Sequence, residues 1–313
     1  MTKNLSQNRA AGLAASAPER GSGTGSKLIV GCGYLGRRVA AGWRAAGHQV
    51  VAVTRTGQDV ASLCREGLLP VIADVPQPDT LAALPPADTV LYAVGYDSAG
   101  GKSRWDVYVE GLRAVLDAIS PDVQRFLFIS STGVYGQTDG AWVDEDSPCQ
   151  PAREAGRAFL AAEQLLREHA LGARAVVLRT AGIYGPGRLQ RVADILAGKP
   201  LSVPEDNYLN LIHVDDAAAI VVAAADRAPP ARTYLVSDGH PVDRREYFTW
   251  LAERLGAPAP AFLVPSAEVL AAHHSGSNKR VSNARMMVDL GMQLRYPTFR
   301  EGVPASMPVS YAP

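Results

Sequence analysis

The stretch Lys27-Leu-Ile-Val-Gly-Cys-Gly-Tyr-Leu-Gly36 decides the fold of this chain, because a short apolar run here passes directly into three spaced glycines. A strand that stops at glycine and restarts as a helix leaves backbone N–H groups and a helix dipole aimed at one point, which suits a pyrophosphate. The pattern predicts a tight turn at Gly31, an open approach to the backbone at Gly33, and close packing of helix on strand at Gly36.

The residues after the glycines support this interpretation. Apolar side chains recur at helical spacing within Leu35–Ala46, and a second apolar run follows at Gln49–Thr54. A strand–helix–strand unit is the context in which such a glycine pattern predicts a dinucleotide site. Tyr34 and Leu35 lie inside the loop and join its three glycines as candidate cofactor-binding residues.

The composition narrows the class of protein. Among 313 residues, 31 Lys and Arg balance 31 Asp and Glu, so no net charge recruits nucleic acid or an anionic membrane surface. No apolar run approaches the roughly 18 residues of a membrane span. Three cysteines and six scattered histidines form neither a disulfide framework nor a metal-ligand spacing. We therefore expect a cytoplasmic protein with no metal and a small-molecule substrate.

Apolar runs alternate with helical patterns along most of the chain, which predicts an α/β fold with a doubly wound parallel sheet. Residues 1–26 lack apolar periodicity and predict a disordered leader. We expect residues 27–180 to form a dinucleotide-binding Rossmann domain, and residues 181–313 to form mainly a smaller substrate lobe with segments that return to the sheet. The predicted strands are Leu28–Val30, Gln49–Thr54, Leu69–Ala73, Thr89–Val94, Arg125–Ser130, Ala175–Arg179 and Tyr234–Ser237.

Ligands of such sheets bind outside the carboxyl ends of the strands, so the residues there are the candidates for chemistry. Arg55 follows the second strand, where an NAD-preferring protein needs a carboxylate, and the nearest acid, Asp59, lies further along the chain. The planar guanidinium of Arg55 matches a 2′-phosphate, which favours NADP over NAD. The alternative is an exposed arginine at a strand end.

Two further strand ends complete the predicted cofactor site. Asp74 follows the third strand and is placed to accept a hydrogen bond from an adenine amino group, although a turn-forming Asp has the same pattern. Ala93, Val94 and Gly95 follow the fourth strand and keep the backbone close to the path of the cofactor.

The fifth strand ends in Ser130-Ser131-Thr-Gly-Val-Tyr135-Gly136, and here the chain resembles the extended and atypical short-chain dehydrogenase/reductase superfamily, of the NAD-dependent epimerase/dehydratase type. The resemblance extends over about residues 27–305 and implies a Rossmann fold with a substrate lobe over the nicotinamide. Three later stretches match that family in order: Leu178-Arg-Thr-Ala-Gly-Ile-Tyr-Gly-Pro-Gly187, Ile212-His-Val-Asp-Asp-Ala-Ala218, and Asn283-Ala-Arg285 leading to Leu290-Gly291.

The chain departs from the resembling family at its catalytic helix. The family transfers a proton through a Tyr that is followed four residues later by a Lys. Alignment on Ala161-Ala-Glu163 puts Ala155 and Phe159 at these two positions, and none of the five lysines lies four residues after a tyrosine. The usual pair is therefore expected to be absent.

Three hydroxyl groups are the candidates that remain for catalysis. Ser131 matches the family's active-site hydroxyl, while Tyr135 and Tyr184 follow the fifth and sixth strands as substitute acids. Each could equally serve packing or local backbone bonding. Lys279 and Arg280 could grip a phosphate or carboxylate, but we expect two exposed cations in a loop.

Two hypotheses follow. The first is an NADP-dependent oxidoreductase or epimerase-like enzyme that acts on a small sugar-like or anionic substrate, favoured by Ser131 and the substrate lobe. The second is a non-catalytic protein that senses NADP(H), favoured by the missing Tyr–Lys pair. The sequence identifies neither the substrate nor the oligomeric state, and a homodimer is compatible with it.

Overall fold

The computed structural model describes residues 25–266 and 277–307. Seven parallel strands form the central sheet in the order β7-β6-β5-β4-β1-β2-β3. Their bounds are β1 Lys27–Val30, β2 Val50–Thr54, β3 Leu69–Ile72, β4 Thr89–Tyr92, β5 Arg125–Ser131, β6 Ala175–Thr180 and β7 Arg232–Val236. The reversal of strand order between β1 and β4 opens a crevice at their carboxyl ends, where such sheets bind ligands.

Helices cover both faces of this sheet, and others pack in the region beyond β6. Their bounds are α1 Gly36–Ala45, α2 Val60–Arg65, α3 Gly111–Ala118, α4 Glu154–Glu168, α5 Val192–Leu196, α6 Val214–Arg227, α7 Arg244–Arg254, α8 Ala284–Leu290 and α9 Phe299–Ser306. Within the described ranges, no helix is long and apolar enough to cross a bilayer.

Side-chain alternation along the strands separates two hydrophobic cores. Ile29 and Leu127 belong to the core that contains the buried faces of α1 and α6, whereas Leu28 and Phe126 belong to the core beneath α3 and α4. All four side chains are fully buried, and burial of each contributes about 1.5–3 kcal/mol. The sheet is thus covered on both faces, as its continuous apolar strands require.

Short strand pairs and a third core build the region beyond β6. The core contains Tyr184, Leu201 and Phe248. The short strands are Trp142–Val143, Gly182–Tyr184, Leu201–Ser202, Tyr208–Leu209, Leu211–His213, Val242–Asp243, Phe262–Leu263 and Arg280–Val281. The chain returns from this region to the sheet at β7, which pairs with β6.

The structure confirms the predicted fold class, and each predicted strand lies in the sheet with ends that shift by at most two residues. Helix α8 ends at Leu290, and the next residue, Gly291, adopts a left-handed φ of 58° that favours glycine. Most of the predicted leader lies outside the described residues. Its last residue, Ser26, is attached to the fold, since its N–H donates to Asp88 Oδ2 at 2.7 Å.

Candidate functional site

A cleft of about 1780 Å³ opens at the carboxyl ends of the sheet strands. The glycine loop after β1 lines it, together with residues that follow β2, β3, β4 and β5 and the start of α4. The crevice is thus built from the segments in which the parallel topology predicts a ligand site.

Each glycine of the loop meets a different geometric demand. Gly31 has a φ of 94°, and an added Cβ would lie 2.6 Å from the carbonyl carbon of Ala93. A Cβ on Gly36 would lie 2.6 Å from the carbonyl oxygen of Gly31. Gly33 differs, because a Cβ there would have no atom within 4 Å. The fold itself requires glycine at positions 31 and 36, whereas Gly33 leaves open space at the loop.

The amino end of α1 completes this loop. No acidic side chain lies in its first turn, and no side chain caps it, so its dipole remains available to an anion. Leu35 is buried at the N-cap and faces the core. The Tyr34 hydroxyl donates to the Pro186 carbonyl at 3.1 Å and thereby joins the loop to the segment after β6. These features fit a dinucleotide pyrophosphate.

Arg55 lies at the end of β2 as predicted and lines the cleft, but it has a partner there. Its Nη2 donates to Asp97 Oδ2 at 2.7 Å, and both side chains are about half exposed. This hydrogen bond from Arg55 holds the pKa of Asp97 below its ordinary value. Asp59 also approaches, with its Oδ2 3.4 Å from Thr54 Oγ1. The end of β2 therefore carries both a guanidinium and carboxylates.

The other predicted cofactor residues also line the cleft. Asp74 accepts a hydrogen bond from Gln77 Nε2 at 2.9 Å. Ala93, Val94 and Gly95 continue β4 along the glycine loop, where the Ala93 N–H donates to the Val30 carbonyl at 2.8 Å. Their contact with a cofactor stays a prediction.

Ser131 is the best placed of the three predicted catalytic hydroxyls. It ends β5 at the cleft, and its Oγ accepts a hydrogen bond from the Gly133 N–H at 3.0 Å. Among the described residues, no acceptor takes the hydrogen of this hydroxyl. The Ser131 O–H is therefore oriented by the turn at Thr132–Val134 and is able to donate to a ligand oxygen.

Tyr135 lines the cleft, but its hydroxyl is already used. It accepts from Arg179 Nη1 at 2.6 Å and donates to the Asp144 carbonyl at 2.8 Å. Burial raises its pKa well above the ordinary value despite the nearby Arg179. The geometry thus gives no support to Tyr135 as an acid.

A buried ion pair anchors this tyrosine. Arg179 makes two hydrogen bonds to Glu163, of 3.0 and 2.7 Å, and Ser130 Oγ donates to the same carboxylate at 2.6 Å. Glu163 is fully buried. The network joins β5, β6 and α4 beneath the cleft.

Tyr184 is set apart from the other two hydroxyls. It is buried and is not among the residues that line the cleft, and its hydroxyl donates to the Thr298 carbonyl at 3.4 Å. A Cβ on Gly302 would lie 2.0 Å from that hydroxyl, so α9 packs directly on it. Burial raises the pKa of Tyr184 well above its ordinary value. The prediction of a catalytic Tyr184 therefore conflicts with its packing role in the structure.

The start of α4 brings Ala155 and Phe159 to the cleft. An added Cβ on Gly156 would lie 2.2 Å from the Gly133 carbonyl oxygen, so the helix approaches the turn after Ser131 very closely. Phe159 stacks on Tyr108 with ring centroids 4.1 Å apart. Neither Ala155 nor Phe159 carries a group that can transfer a proton.

We call the lining residues after position 100 the distal wall. Glu154 is the one acid of this wall within the described parts of the chain. The basic side chains of the wall are Lys102, Arg104, Arg153, Arg157, Arg188, Arg191, Arg244 and Lys279. This concentration of positive charge contrasts with the balanced charge of the whole chain.

Sequence reasoning missed the environment of Lys279 and the role of Asp97. The prediction that Lys279 is exposed was wrong, because it is 5% exposed and lines the cleft. Its burial depends on pairing of Arg280–Val281 with Trp142–Val143, which no local pattern reveals. Asp97 follows β4 at the cleft edge, so inspection of every strand end for charge would have found it.

The fold and this site define a Rossmann-type dinucleotide-binding protein of the short-chain dehydrogenase/reductase class. The NAD dependent epimerase/dehydratase family matches residues 28–237. A solved structure from Methylobacillus flagellatus, provisionally described as an NAD-dependent epimerase/dehydratase, is 35% identical with a TM-score of 0.73. It covers 91% of this chain and 98% of its own. The chain therefore belongs to the NAD-dependent epimerase/dehydratase family.

Two curated relatives extend the comparison. Protein YeeZ of Escherichia coli K12 is 28% identical over 278 residues, which are 86% of this chain and 95% of YeeZ. A Stigmatella aurantiaca protein named 4-hydroxy-2-methyl-3-oxo-4-farnesyl-3,4-dihydroquinoline-1-oxide ketoreductase is 28% identical over 263 residues. That match covers 79% of this chain and 78% of the ketoreductase.

Proposed function

We propose that the protein is an NADP-preferring oxidoreductase or epimerase-like enzyme that acts on a small anionic substrate without the usual Tyr–Lys pair. The observation that carries the proposal is one cleft that joins the glycine loop, Arg55 and the oriented hydroxyl of Ser131. The ketoreductase name of the S. aurantiaca relative supports chemistry at a carbonyl group. The cationic distal wall supports an anionic substrate.

The preference for NADP depends on Arg55 and is opposed by Asp97. A 2′-phosphate that pairs with Arg55 must share it with this carboxylate or displace it. A charge-assisted contact of this kind contributes about 1.5–3 kcal/mol, roughly ten- to a hundredfold in affinity. We expect Arg55→Ala to lose the preference for NADPH over NADH, and Asp97→Asn to increase it severalfold.

Fluorescence titration of both reduced nucleotides against these variants tests the preference. Asp79→Asn is a suitable control, since it also replaces an acid by its amide but does not line the cleft. Equal affinities of NADPH and NADH for the wild-type protein, or an unchanged ratio in Arg55→Ala, would refute the preference. Loss of both nucleotides alike in Arg55→Ala would indicate a damaged site rather than a lost phosphate contact.

In this proposal the Ser131 hydroxyl donates the proton to the carbonyl oxygen and regains one from solvent water, since Ala155 and Phe159 can donate none. General acid–base groups commonly contribute about 10²–10⁴-fold in rate. Screening of NADPH oxidation against carbonyl compounds provides the assay. Ser131→Ala should then lower turnover at least about tenfold, whereas Tyr184→Phe should change it little. A Ser131→Ala variant with wild-type turnover would remove Ser131 from the mechanism.

The second candidate function is a non-catalytic sensor of NADP(H). The presence of Ala155 and Phe159 at the start of α4 favours it, because neither side chain can transfer a proton. Tight NADPH binding, together with no turnover for any carbonyl substrate in the screen, would favour the sensor over the enzyme.

A further inference from the structure

Lys279 is a buried cation that faces the cleft. Only 5% of its surface is exposed. Its Nζ donates to Ser277 Oγ at 2.6 Å and to the Tyr135 carbonyl at 3.4 Å. Both acceptors are neutral, and an ammonium group has three hydrogens to donate. One donor of Lys279 is therefore left over within the described parts of the chain.

No carboxylate among the described residues forms an ion pair with Lys279. The charge of Arg153, which has the same sign, also acts on Lys279. Burial, and secondarily the charge of Arg153, lower the pKa of Lys279 to about 8. A buried charge without a counter-ion is costly, so this position favours either loss of the proton or arrival of an anion.

The neighbouring Arg280 has a different environment. Arg280 Nε donates to the Gly140 carbonyl at 2.8 Å, and its guanidinium lies 5.2 Å from the ring centroids of both Trp142 and Tyr208. Arg280 is thus used in packing. Lys279, which directly precedes this short strand, lines the cleft.

We propose that Lys279 is the cation of an anion subsite in the distal wall, which takes the carboxylate or phosphate group of the substrate. The proposal rests on the proposed function in so far as this ligand is the substrate. A bound anion accepts the remaining hydrogen of Nζ and supplies the missing counter-charge. Other basic side chains of the distal wall, apart from Arg191, which pairs with Asp194 at 3.1 Å, add positive charge that attracts anions to the cleft.

The binding of an anion and the protonation of Lys279 are linked. An anion that pairs with the ammonium form stabilises it and raises the pKa of Lys279 from about 8 toward the ordinary lysine value. A rise of one pH unit corresponds to about tenfold tighter binding by the charged form. Because the chain has only five lysines, their signals can be followed individually by NMR of isotope-labelled lysine.

The test titrates the full chain with pH in the presence of inorganic phosphate, acetate or chloride at constant ionic strength, and the Lys279→Arg variant assigns the signal. We expect phosphate or acetate to raise the pKa of Lys279 by about one unit or more relative to chloride. The anion that causes the larger rise identifies the class of ligand, phosphate or carboxylate. Lys199, which is exposed and outside the cleft, serves as internal control.

The proposal of an anion subsite would be overturned if neither anion changed the pKa of Lys279, or if the pKa of Lys199 rose equally. As a second measurement, Lys279→Gln should weaken the anion-induced shift of the Gly136 amide signal about tenfold, whereas Lys199→Gln should leave it unchanged. The NADPH titration is independent of these readouts. If NADPH does not bind but anions raise the pKa of Lys279, only the proposed function is rejected. If NADPH binds but anions leave the pKa of Lys279 unchanged, only the subsite is rejected.

Discussion

The buried carboxyl group of Asp238 should make the protein less stable as pH rises, and the Asp238→Asn substitution tests this effect. It lies just after β7 and is 4% exposed. Its Oδ1 accepts from the His240 N–H at 2.9 Å, whereas no described residue bonds its Oδ2. Burial, with smaller contributions from the carboxylates of Asp216 and Glu301, raises the pKa of Asp238 from 3.8 to about 7.

The sign follows from proton linkage. Because the folded state holds the proton of Asp238 more tightly than the unfolded state, the free energy of unfolding falls as pH rises from about 4 through 7. At 1.36 kcal/mol per pH unit, a displacement of roughly three units costs about 4 kcal/mol above pH 7. Asn has nearly the shape of Asp, keeps an oxygen for His240 and cannot ionise.

Urea unfolding of Asp238→Asn and the wild type at about pH 5 and pH 8 measures this effect. The stability of the variant relative to the wild type should increase by about 2–3 kcal/mol between the two pH values. The control is Asp117→Asn, which changes an exposed acid on α3. A difference that stays constant with pH, or decreases toward pH 8, would refute the assigned environment of Asp238.

Two further substitutions test the loop and the buried network. Gly33→Ala should keep the wild-type melting temperature, since its Cβ meets no protein atom, but should weaken NADPH binding in titration. Gly36→Ala should lower the melting temperature, because its Cβ would meet the carbonyl oxygen of Gly31. Equal melting temperatures and equal NADPH affinities of the two variants would contradict this difference. Glu163→Gln should cost about 3–5 kcal/mol in urea unfolding, because it leaves the buried Arg179 without its counter-charge. Glu168→Gln, exposed on the same helix, is the control, and a similar loss there would reject the argument.

The features of this protein that depend only on neighbouring residues could be predicted from the sequence. The glycine loop, the sheet strands and the end of α8 follow from apolar periodicity and from backbone positions that only glycine fits. These features need only neighbouring residues and the rules of parallel sheets. Ser131 was found by a different route, since the resemblance to the short-chain dehydrogenase/reductase superfamily pointed to it where β5 ends.

The side-chain environments of the site depend on segments distant in sequence. Tyr184 was proposed as an acid because it follows a strand, yet α9, more than 100 residues later, covers its hydroxyl. Lys279 resembled a surface cation until pairing with Trp142–Val143 buried it. A pattern can give the position of a side chain along the chain, but its burial and partners arise only when distant elements pack.

The acidic and basic side chains of the cleft are unevenly distributed between the residues before position 100 and the distal wall. Around the ends of β2, β3 and β4 the lining acids are Asp59, Asp74 and Asp97, with Arg55 as the basic residue. Side chains there offer little net attraction to a pyrophosphate, so backbone N–H groups and the dipole of α1 must hold it. The distal wall has the opposite balance, with more basic than acidic side chains among its described residues. In our proposal the cations of the distal wall serve the substrate, and the zero net charge of the chain conceals an excess of basic side chains along the cleft.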